Sequence, residues 1–92
     1  MVPNPPINDE EAKQKQEAFF ERAQRGVLKH LVDKGGELSL GELHEYSLNK
    51  YLIQHQRFSQ MMETFVDGGL VVYDQVLQKA TITASGREFA SN

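Results

Sequence analysis

Apolar residues recur at helical spacing between positions 58 and 66: Phe58, Met61, Met62, Phe65 and Val66. That spacing gathers them on one face of a helix, predicted over His55–Asp67. Gly68-Gly69 follows, and glycine takes the left-handed conformation that commonly ends a helix. Leu70-Val71-Val72-Tyr73 then has the branched and aromatic residues of a strand. A second strand is predicted over Lys79–Thr83, with the hairpin tip near Asp74-Gln75. Val72 and Ala80 or Ile82 are expected to face the core. No glycine marks the tip, so the turn type is not fixed by the pattern. Thr83 is placed to cap a last short helix, Ala84–Ala90.

The first third reads as one helix over residues 9–33. Asn8 is a cap residue, and Asp9-Glu10-Glu11 puts acids in the first turn, where the helix dipole favours them. The apolar stripe is Phe19, Phe20, Ala23, Val27, Leu28, Leu31 and Val32. The turns before Phe19 are polar and have little to bury. They are expected to be mobile in a monomer or ordered by a second chain, which leaves a homodimer contact through this helix open. Of Phe19 and Phe20, about 100° apart on the helix, one is expected in the core. Gly26 marks either a boundary or a place where another helix comes close. Lys34-Gly35-Gly36 ends the helix, and Glu37-Leu38 suits a short strand. Ser39 and Glu42 have capping-box spacing, so a second helix starts at Leu40 and runs to Tyr46 or beyond. Residues 47–53 either extend it or form a turn. Ahead of everything, residues 1–8 are a flexible Pro-rich leader, and 9–92 form a single domain.

Composition narrows the function. The chain has 92 residues and no cysteine, so its small core must hold the fold without disulfides or thiolate metal sites. No run of 18 apolar residues suggests a membrane span, and Met1-Val-Pro-Asn-Pro-Pro lacks the regions of a signal peptide. The expected compartment is the cytoplasm. No two of His30, His44 and His55 have the i,i+4 spacing of a helical zinc site, so no metal is expected. No catalytic triad pattern or glycine-rich phosphate loop is present. Neither an enzyme nor a cofactor is expected.

Three motifs carry a family resemblance. They are Gly35-Gly36-Glu37-Leu38-Ser39-Leu40-Gly41-Glu42-Leu43; Phe58-Ser59 with Met62, Phe65, Gly69, Leu70 and Val71; and Ile82-Thr83-Ala84-Ser85-Gly86-Arg87. Across Leu28–Phe89 the chain resembles the winged helix-turn-helix superfamily, most closely its MarR-type and PadR-type repressor domains. The resemblance implies an α+β fold of three main helices, a small antiparallel hairpin sheet and a short C-terminal helix. It also implies a DNA-binding transcriptional regulator, with helix three in the major groove and the wing on the adjacent backbone.

On that reading Gln56, Arg57 and Gln60 contact bases of double-stranded DNA, since Arg pairs with guanine and Gln with adenine. Lys50, His55, Ser59 and Lys79 contact phosphate. Against it stands the charge: 10 Lys and Arg face 13 Asp and Glu, a net of −3, whereas phosphate affinity comes mostly from Lys and Arg. The alternative is a protein-interaction module on the same fold. Convergence of Lys34, Lys50, Arg57 and Lys79 on one face favours DNA. Their scatter, or an exposed apolar patch, favours a protein partner.

Overall fold

The computed structural model describes residues 9–91, with side chains from Lys15 onward. The Pro-rich leader and the Asn8 cap lie outside the described residues. The element order is α1 (Asp9–Asp33), β1 (Glu37–Ser39), α2 (Leu40–Tyr51), α3 (His55–Asp67), β2 (Val71–Asp74), β3 (Lys79–Ile82) and α4 (Ala84–Ser91). Among the described residues this is an α+β arrangement of four helices and a three-stranded antiparallel sheet in the order β1-β3-β2.

The α1 stripe enters the core as Ala23, Val27, Leu28 and Leu31, with Phe20 and Val32 packed against it. Residues 15–18, ahead of the stripe, are exposed. Gly26 is a close approach, not a boundary: α1 runs through it, and a Cβ built there would fall on the Tyr51 hydroxyl. Tyr51 is in turn bordered by Tyr46 and Phe19, with ring centroids at 6.1 and 6.5 Å. Gly26→Ala therefore gains about 1 kcal/mol of helix propensity and loses more by displacing that ring. The expected net loss is about 1–2 kcal/mol, read as a lower urea midpoint.

Gly35 and Gly36, at φ +96° and +87°, turn the chain from α1 into the sheet. The Gly36 N–H donates to the Leu31 carbonyl at 2.8 Å, and its own carbonyl accepts from the Ile82 N–H at 2.8 Å. Ser39 caps α2 as its spacing predicts, its Oγ accepting from the Glu42 N–H at 3.2 Å. Residues 47–51, open between helix and turn in the sequence pattern, continue α2. Buried Ser47 is satisfied inside the helix, donating to the Leu43 carbonyl at 2.8 Å. Leu52 then ends α2 at φ 58°, ψ 32°. That left-handed conformation costs an L-residue roughly 1–2 kcal/mol.

Phe58, Met61, Met62 and Phe65 are buried, in one cluster with Leu28, Leu31 and Leu43. The left-handed residue past α3 is Gly69 at φ +71°; Gly68, at φ −81°, stays right-handed. Two expectations for the hairpin are corrected. Val72 faces solvent at 61% exposure, while Val71 is buried. Pairing explains this: Val71 lies opposite Ile82 and Tyr73 opposite Ala80, so odd-numbered β2 residues share the face of the two buried β3 residues. The tip is also further along, at Val76-Leu77. The Asp74 carboxylate accepts from both of their N–H groups, at 2.9 and 3.1 Å. Gln78 at φ 51° closes the turn without a glycine.

Thr83 caps α4 as predicted, its Oγ1 accepting from the Gly86 N–H at 3.0 Å. The same hydroxyl donates to the Gly69 carbonyl at 2.7 Å, so one side chain ties α4 to the exit of α3. The helix extends to Ser91 and packs along α1, where the Arg25 guanidinium lies 4.9 Å from the Phe89 ring centre.

Candidate functional site

All seven residues singled out for DNA contact are exposed, but they do not share one surface. Arg57 lies over the Phe20 ring, 4.3 Å from its centre, and its Nη1 donates to Gln60 Oε1 at 3.5 Å. Two of the three expected base readers therefore contact each other, and the guanidinium leans on α1. Lys79 forms an ion pair with Glu37 across β3 and β1 at 3.3 Å. Lys50 and Lys34 share a recess between α1 and α2 with His30, Tyr46, Glu42 and Glu45. Only His55 and Ser59 of the seven line the groove between α3 and the hairpin. Gln56 is exposed on α3. Lys34, Lys50, Arg57 and Lys79 thus sit in three separate places.

The groove on the α3 side encloses about 550 Å³. Leu40, Gly41 and His44 of α2 form one wall. Phe58, Met62, Glu63, Val66 and Asp67 of α3 form the floor and opposite lip, and Tyr73 and Gln78 of the hairpin close one end. The wall is pinned in place because the Leu40 N–H donates to the Gln78 carbonyl at 2.9 Å. His44 tilts onto Phe58 at 4.9 Å and meets the edge of His55 at 5.4 Å. Its Nε2 is buried and finds no hydrogen-bond partner among the described residues. Among the described residues lining this groove, Glu63 and Asp67 are the carboxylates and none is Lys or Arg. Beyond its end, the hairpin tip displays Val76 at 91% exposure, with Leu77 beside it.

A second recess, about 350 Å³, lies at the α1 and α2–α3 corner. Leu52, at 78% exposure, and Phe19, at 51%, are among its lining residues. Among the described residues its charged lining consists of Lys15 and Arg57.

Compared with family models, curated proteins and solved structures, the chain matches none. Its site is therefore read from its own geometry. Among the described residues, no group of three or more His, Asp or Glu is placed to hold a metal ion, and no helix is long and apolar enough to cross a membrane.

In the α1–α2 recess, His30 stacks on Tyr46, ring centres 3.7 Å apart and nearly parallel. Burial, and then the Lys34 charge, lower the His30 pKa from its ordinary 6.5, only partly offset by Asp33. The fold thus favours the neutral ring. This contribution is intact above the unfolded-state pKa and is lost as pH falls through the lowered folded-state value. The melting temperature is expected to drop as pH falls below about 6.5, with a shallower dependence in His30→Gln.

Helical period alone finds the exposed face of α3. It does not find the meeting of His44 with His55 across the α2–α3 link, nor the seat of Arg57 on Phe20, because both depend on how helices cross. Leu52 carried one missed signal: a bulky apolar residue where a helix ends invites the question of why glycine is absent.

Proposed function

We propose that the chain is a winged-helix-type domain that binds protein through the groove between α2, α3 and the hairpin. The order helix, strand, helix, helix, hairpin, helix is compatible with that fold. The observation that carries the function is the groove's chemistry: an apolar floor and two carboxylates, with no Lys or Arg among the described lining residues. A DNA backbone brought to this face would meet Glu63 and Asp67, and the phosphate attraction that dominates DNA affinity needs Lys and Arg. Across the whole of α3 one Arg stands against two carboxylates. Apolar grooves of this kind commonly receive an amphipathic segment of a partner.

The test is a titration of the full chain with a pool of random duplexes at low salt, followed by backbone amide NMR. No shift is expected over residues 54–60 and 72–80. Shifts there would restore the DNA reading. In that case Lys79→Ala should weaken all sequences alike and lower the salt slope by about one unit, while Arg57→Ala should relax base preference.

A further inference from the structure

We infer that the occupant of the groove is a second copy of this chain, which enters it with the knob formed by Leu52 and Phe19. This rests on the reading of the groove as a protein-binding surface. Leu52 holds a left-handed backbone conformation that glycine or asparagine adopts with less strain. Its side chain is nevertheless 78% exposed. Neither the backbone nor the chain's own core accounts for a leucine there; a surface beyond the chain does. Phe19 stands beside it, half exposed, with its ring edge-on to Tyr51 at 6.5 Å.

Charge selects the surface. Lys15 and Arg57 flank the knob, and neither ion-pairs with a described residue. Glu63 and Asp67 flank the groove, and they too ion-pair with no described residue. Knob on groove brings apolar to apolar and cation to carboxylate. Knob on knob would set cations against cations, and groove on groove carboxylates against carboxylates, and like-charge juxtaposition suppresses such pairings. The contact is therefore head-to-tail. Each copy offers one knob and one groove, so copies add in a row or close into a ring.

Sedimentation velocity of the full chain tests this. The wild type should show a mass that rises with concentration up to ~1 mM, as expected of a small weak interface, and the rise should shrink in high salt. Leu52→Asp disables the knob and Val66→Asp disables the groove lip. Both positions are exposed, and aspartate tolerates the left-handed conformation better than leucine; circular dichroism melts check that both variants fold. Each alone should remain a monomer. An equal mixture should form dimers and nothing larger, because it contains one live knob and one live groove. A wild type that stays monomeric at ~1 mM, or a mixture that does, overturns the second copy as occupant. With the α3 amides silent toward DNA, such a result leaves the groove to a foreign protein. Amide shifts with DNA would instead remove the protein-binding reading itself.

Discussion

Phe65→Ala is expected to destabilise the chain by about 3–5 kcal/mol, the usual range for truncating a buried phenylalanine. Phe65 is among the largest side chains in the core and is 1% exposed. It sits on α3 in one cluster with Leu28 and Leu31 of α1, Leu43 of α2 and Val71 of β2. A cavity there weakens several elements at once. Domains of this size have total stabilities of about 5–15 kcal/mol, and a small core lies toward the low end. The variant should therefore lose on the order of 2–4 M from its urea midpoint, or be unfolded outright. Val72→Ala is the matched control. It removes two methyl groups from a site that faces solvent, and it should stay within about 0.5 kcal/mol of wild type. Equal behaviour of the two variants would mean that the core is assigned to the wrong residues.

The second large effect comes from adding one carbon. Gly86→Ala should cost about 3 kcal/mol, at the upper end of the 1–3 kcal/mol typical of overpacking. A Cβ at Gly86 would fall on the Leu70 carbonyl oxygen. That oxygen cannot easily yield. It accepts from the Thr83 N–H at 3.0 Å, while the Leu70 N–H donates to the Phe65 carbonyl at 2.8 Å. The backbone is held on both sides, so α4 must tilt away and release Ala90 from the core. Gly41→Ala makes the contrast. Gly41 is also helical, but nothing lies within 4 Å of its added carbon, so the change should stabilise by about 0.5–1 kcal/mol through propensity alone. Calorimetry should place the two variants on opposite sides of wild type, Gly86→Ala lower by about 12–24 °C. A melting point for Gly86→Ala above that of wild type would contradict the close packing of α4 on the α3 exit.

What was legible in the sequence was local. The Phe58, Met62 and Phe65 spacing, the Ser39 and Thr83 caps and the paired glycines each act within a few residues. The phase of β2 was not local. Alternation says that neighbours point opposite ways, but only the partner strand decides which of Val71 and Val72 turns inward. The length of α2 depended on Tyr51 finding room over Gly26, a contact between residues 25 positions apart. For the site, helical period identified Gln56, Arg57, Gln60 and Glu63 as exposed. Where the cations lie relative to that face required the crossing of α1 over the α2–α3 corner, which no spacing encodes.

The pairing of β1 with β3 and the packing of α4 on α1 have a consequence for how the protein is made. β1 leaves the ribosome about 40 residues before its partner strand, an interval of roughly 2–8 s at typical elongation rates. Through that interval Leu28 and Leu31 can meet Leu43 of α2 and Phe58 and Phe65 of α3, but the β3 residues Ala80 and Ile82 of the same cluster have not been made. Ala90, which closes the core, comes later still. The sheet and the α1–α4 contact can therefore close only after β3 and α4 have been made.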